Sequence, residues 1–185
     1  MSSIPLKLYI TPFAERGKVE AEKWSCSAAK EALTVVNAIW SKARVAFVIN
    51  DCVIDKPLDM AKDARNDDER LLGVLSSRHI PDNLVHIYLV NPIVNLPAGG
   101  CSYLNSDPEP ASFVQWYGTV PANGRAFAHE LGHLMSLDHV EVDYQKESQA
   151  VLRRNLMTKG LSMESDLIDR QIARVKGSKL VNRFS

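Results

Sequence analysis

The 185-residue sequence predicts a mixed α/β, α+β-type fold in which helices pack against one twisted sheet. Three observations predict it. Short runs rich in β-branched and aromatic residues occur at IPLKLYI, RVAFVI and NLVHIYLV. Two longer stretches instead repeat their apolar residues at three- and four-residue steps. The order is strand, long helix, several strands, helix, loop, helix.

Residues 4–10 alternate well enough for a first strand. From Lys18 to Ala43 the residues Ala28, Ala32, Val35, Ile39 and Ala43 share one helical face, and no proline interrupts them. RVAFVI (44–49) follows as a second strand. The charged run 59–72, DMAKDARNDDERLL, reads as a solvated loop or helix face. NLVHIYLV (83–90) is apolar enough for the interior of a sheet. NPIVNLPAGG is a turn-rich link, CSYLN (101–105) a short strand, and SFVQWYGTV (112–120) another. A helix is expected over 123–135 with Asn123 as N-cap, and a last helix over 163–175 capped by Ser162.

Length and composition suit one domain over residues 1–185: sheet and first helix to 127, a histidine-bearing helix and turn at 128–139, and the remainder from 140. Lysine plus arginine equal aspartate plus glutamate at 22 each, so charge gives no reason to expect a nucleic-acid partner. No run is long and apolar enough to suggest an integral membrane segment, and no signal peptide is recognised, so any export would use a signal-independent route. A monomer is expected. The three cysteines, Cys26, Cys52 and Cys101, are widely spaced and are expected to be thiols rather than a disulfide framework or metal ligands.

The chemistry concentrates in HELGHLMSLDH, residues 129–139, which holds three of the five histidines. Residues four apart on a helix differ by about 40° around the axis and about 6 Å along it, so His129 and His133 can reach one ion. Glu130 lies about 100° away, where a carboxylate touches a metal-bound water without ligating the metal. Zinc suits such a set because it takes neutral imidazoles and, with three protein ligands, keeps a fourth position open. It lowers the pKa of its water to about 7, and the glutamate then acts as general base.

A straight helix would put His139 about 15 Å from His129 along the axis, too far to share an ion. For His139 to ligate, the helix must end near Ser136 and the chain must double back. A left-handed serine at that exit costs about 1 kcal/mol, which metal binding offsets.

HELGHLMSLDH resembles the zinc signature of the metzincin metallopeptidases, with Ser136 at the glycine position. Asn155-Leu156-Met157 resembles the Met-turn of the same family, and LSMESDLIDRQIARV its C-terminal helix. The resemblance implies a mostly parallel sheet of four or five strands with an antiparallel edge strand, a long backing helix, an active-site helix and a C-terminal helix. It implies one Zn2+ held by His129, His133 and His139, Glu130 as general base, and Met157 beneath the site. It also implies a peptide or protein substrate bound as an extended strand along Gly99, Gly100, Cys101, Ser102 and Tyr103. Lys159 stands where astacin-like members carry a tyrosine ligand, which favours a matrixin-like or minimal bacterial member. Some such proteins are secreted effectors or toxins.

Other readings stay open. A gluzincin-type enzyme would keep the helix straight and take Glu164 as third ligand. A zinc-stabilised binding module would have no use for Glu130 beside the metal. His79 and His86 read as structural, Tyr103 and Tyr117 as packing residues able to hydrogen-bond an intermediate, and the basic segment 170–183 as a helix packed by Leu167, Ile168, Ile172 and Val175.

Overall fold

The computed structural model describes residues 1–15, 18–19, 23–59, 68–80, 82–91, 100–102, 110–143, 147–159 and 164–185. Strand β1 (Ser2–Thr11) runs through the middle of a five-stranded sheet. It pairs in parallel with β4 (Val45–Ile54) on one side and β6 (Val85–Val90) on the other. Strand β8 (Ala111–Gln115) continues the parallel pairing, and β7 (Gly100–Ser102) closes that edge antiparallel to it. This is the mostly parallel sheet with an antiparallel edge. Short strands β2 (Phe13–Glu15), β3 (Lys18–Val19) and β5 (Leu58–Asp59) form a second, three-stranded sheet in the order β3-β2-β5.

Alternation along β1 divides the core. Ile4, Leu6, Leu8 and Ile10 are almost fully buried with helix α1 (Cys26–Trp40) and the histidine-bearing helix over Val120–Leu134. Tyr9 faces the other way, with Tyr88 and Phe113, onto helix α2 (Asp68–Ser76) and Leu58. Both faces are covered, so every residue of β6 is buried and all but His86 are apolar or aromatic. His86 belongs to that second face and meets the Asp82 carboxylate at 2.8 Å, as a structural histidine does.

Helix α1 is shorter than the expected 18–43. Ser25 caps it, accepting from Ala28 N–H, and it tightens into a 3₁₀ turn over Ser41–Ala43 before a left-handed Arg44. Its Asn37 amide exchanges two hydrogen bonds with the backbone of Phe47, fastening the helix to β4. Cys101 is a thiol, as expected, but Cys26 and Cys52 are not: they form a disulfide, Cα atoms 6.0 Å apart, joining the start of α1 to the far half of β4. Tertiary packing brings together cysteines whose spacing carries no framework pattern.

Past the histidine-bearing helix lie α4 (Val140–Asp143), α5 (Gln149–Arg154), α6 (Asp169–Lys176) and α7 (Lys179–Arg183). Helix α6 begins six residues later than expected. Asp166 pairs instead with the chain at Asn155 in an isolated parallel bridge, and Ile168, just before the helix, is extended. Ser162, the expected cap, lies outside the described residues, as do the link 92–99 and the end of CSYLN. Val175 is buried, and Leu167, Ile168 and Ile172 pack beside it on the main core. Among the described residues no helix is long and apolar enough to cross a membrane.

Candidate metal centre

Helix α3 (Val120–Leu134) carries HELGH on its last turns. It starts three residues earlier than the expected 123, because Thr119 is its N-cap and Pro121 fits a first turn that needs no N–H. Asn123 is therefore not the cap. Its buried side chain accepts from Tyr117 N–H at 2.6 Å, holding the chain between β8 and α3 against the helix.

The helix stops at Leu134. Ser136 is left-handed, with φ of 69°. Ser136 N–H donates to His133 C=O at 2.9 Å, and Leu137 N–H to Gly132 C=O at 3.0 Å. That pair of bonds is a Schellman ending, with serine where glycine is usual. Leu137 buries, the chain doubles back, and His139 arrives beside the histidines it would otherwise have passed.

One nitrogen from each of His129, His133 and His139 lies within 4.8 Å of the others, the group among the described residues able to hold a metal ion. His129 Nδ1 is 2.8 Å from Leu156 C=O, and His133 Nδ1 is 2.7 Å from Leu137 C=O. A carbonyl oxygen only accepts, so both rings carry their hydrogen on Nδ1 and present lone pairs at Nε2. Those two Nε2 atoms stand 3.1 Å apart. Two lone pairs at that distance repel unless a cation sits between them. Nitrogens about 2.0–2.1 Å from a tetrahedral zinc are about 3.3 Å apart, so the residues fit the ion.

Burial pushes both histidines down to about 4, and the charge of the neighbouring histidines pushes the same way. At neutral pH the rings are uncharged, the form that ligates. Glu130 is buried next to them. Ser102 Oγ donates to its Oε2 at 2.7 Å. Burial and the Glu130 charge push the Tyr117 phenol up to about 12, so it remains a hydrogen-bond donor near that carboxylate.

A turn supports the group from below. Asn155 Oδ1 accepts from Met157 N–H at 2.9 Å and Asn155 C=O from Thr158 N–H at 3.2 Å. Met157 is fully buried beneath α3. A Cβ on Gly132 would stand 2.5 Å from its sulfur, so the close approach requires glycine there. Met157 C=O accepts from Val140 N–H, so one turn orients His129 through Leu156 and anchors the segment after His139. The buried side-chain amides of Asn155 and Gln171 pair through two hydrogen bonds, at 2.8 and 3.0 Å, tying the turn to α6. Sequence reasoning missed Gln171, whose glutamine looks like any helix-surface residue.

The structure brings His129, Glu130, His133, His139 and Met157 together, with Gly100, Cys101 and Ser102 on the adjacent edge strand. Gly99 and Tyr103 lie outside the described residues. Glu164 does not join the histidines; it is exposed and paired with Arg154.

No protein-family profile and no curated protein matches the sequence. Solved structures do. An archaemetzincin from Methanopyrus kandleri superposes with a TM-score of 0.60 over 94% of this chain and 94% of its own, at 13% identity. The fold is metallopeptidase-like. Metalloproteinase-II from Bacteroides fragilis matches with a TM-score of 0.52 at 12% identity, over 95% of this chain and 53% of that one. A structure described as a chaperone–substrate complex matches at 0.59 and 12% identity, over all of this chain and 35% of that one. The metallopeptidase-like fold carries two of its three histidines on the helix beside the antiparallel edge strand and the third just past that helix's end.

Proposed function

We propose that the chain is a zinc-dependent endopeptidase of metzincin type. One observation carries the reading: two imidazoles, neutral and with both Nδ1 hydrogens committed to carbonyls, face each other with bare Nε2 atoms 3.1 Å apart beside His139 and Glu130. In this reading His129, His133 and His139 are the ligands of one zinc ion. The turn at Asn155-Leu156-Met157 is the Met-turn, and Ser136 does the work of the family's glycine. The ion, when bound, would acidify a water and polarise the scissile carbonyl.

The chain's own groups do the rest. Glu130 takes a proton from the attacking water as its oxygen bonds to the carbonyl carbon, and gives that proton to the nitrogen of the leaving amine as the C–N bond breaks. Leu156 C=O and Leu137 C=O hold the rings in the ligating tautomer. Strand β7, last in the order of its sheet, would lie along an extended peptide through Gly100 and its neighbours.

The test is zinc content and cleavage of a broad peptide library by wild type, His139→Ala and Glu164→Ala. Wild type should hold one zinc and cleave, Glu164→Ala should do both, and His139→Ala should lose zinc affinity by at least about a hundredfold. Retention of zinc by His139→Ala with loss in Glu164→Ala refutes the ligand set. A zinc-loaded wild type that cleaves nothing refutes the peptidase.

A further inference from the structure

We propose that β7 is a socket for the catalytic base, with Ser102 as the positioning residue of Glu130 and Gly100 as the space it occupies. The inference rests on the peptidase reading above and assigns these two side-chain positions to the enzyme rather than to the substrate. Residues two apart on a strand point to the same face, so Gly100 and Ser102 both look at α3 while Cys101 turns to the opposite core. A Cβ on Gly100 would lie 2.6 Å from Glu130 Oε1 and 2.7 Å from its Cδ, a separation real atoms do not tolerate. Glu130 Oε2 is held by Ser102 Oγ at 2.7 Å. One carboxylate oxygen is thus clamped, and the other fills the gap left by a missing side chain.

The clamp has its own support. Ser102 is directly opposite Ser112 in the β7–β8 register, and their hydroxyls are 2.8 Å apart. Ser112 is fully buried on β8, where its oxygen also lies 2.9 Å from Cys101 C=O. Each hydroxyl has one hydrogen. Ser102 places its hydrogen on Glu130, whose Oε2 and own C=O lie 2.7 and 3.0 Å from Oγ, while Ser112 braces it from behind, with its own hydrogen shared between Cys101 C=O and Ser102. Aligned this way, Ser102 fixes the rotamer of a side chain whose three torsions would otherwise be free, on the strand that would also lie along the peptide.

Two readouts test this. The first is a double-mutant cycle, Ser102→Ala against Glu130→Ala, on the unfolding equilibrium of the metal-free protein. A buried hydrogen bond predicts coupling of about threefold to tenfold. The second is steady-state cleavage at full zinc loading. Ser102→Ala should lower kcat by about 10- to 100-fold with KM within about twofold, Ser102→Thr should restore most of kcat, and Gly100→Ala should lower kcat with zinc retained. Coupling near unity overturns the contact. Coupling with unchanged kcat, or a loss confined to KM, overturns the positioning role. A wild type that cleaves nothing overturns the peptidase reading and this role with it, while the cycle still decides the contact.

Discussion

Ser136 sits in a conformation that costs an L-residue about 1–2 kcal/mol, because its Cβ crowds the following carbonyl, and with φ at 69° it cannot relax without undoing both hydrogen bonds of the helix ending. Ser136→Gly removes that strain and adds about 0.4–1 kcal/mol of unfolded-chain entropy. The difference predicts a net stabilisation of about 0.5–1 kcal/mol. For a chain of this size that is about 1–4 °C in Tm. Ser136→Val, with a branched Cβ, should go the other way by at least about 1 kcal/mol. Urea unfolding of the metal-free protein reads both as a moved midpoint at unchanged slope. A Ser136→Gly variant that is less stable than wild type, or a neutral Ser136→Val, refutes the left-handed exit. The route by which His139 returns to the site would then need replacing.

Other expectations follow from the same structure. The Cys26–Cys52 bridge spans a sequence separation of 26, for which loop-closure entropy gives about 3.5 kcal/mol. The Cys26→Ala/Cys52→Ala variant should lose stability of that order in urea, and a loss under about 1 kcal/mol would contradict the bridge. His129 and His133 have folded-state values of about 4, below the 6.5 of an unfolded histidine. Between those values the unfolded chain binds more protons, so the metal-free protein keeps its stability above pH 6.5 and loses it as pH falls toward 4. The steepest contribution is about 2.7 kcal/mol per pH unit for two histidines. A His129→Gln/His133→Gln variant should lack that component, and identical pH profiles would refute it.

Local rules made much of this legible. Alternation in IPLKLYI placed Ile4, Leu6, Leu8 and Ile10 on one face, and four-residue spacing placed His129 and His133 on another. The need to return His139 marked Ser136 as a helix end. What escaped depends on distant pairing. Cys26 meets Cys52 only once α1 lies across β4. Asn123 has the chemistry of a cap, but Thr119 takes that place and the amide turns inward to Tyr117. Residues 164–168 carry a helical pattern, yet Asp166 bridges to Asn155 and Ile168 is extended. The sequence sets Ser102 only among the residues of a substrate strand, because its contact with Glu130 requires both the β7–β8 register and the packing of α3 across that edge. The Asn155–Gln171 amide pair is silent, since each residue alone reads as surface.

The central claim is that Glu130 works beside a zinc ion that three histidines hold without it. Zinc stoichiometry and peptide cleavage, measured on wild type and Glu130→Ala in parallel, test it most directly. The account predicts one zinc per chain in both proteins, with cleavage in wild type and a loss of at least about a thousandfold in Glu130→Ala. Cleavage by Glu130→Ala at the wild-type rate, or a wild type that binds no zinc, would contradict it.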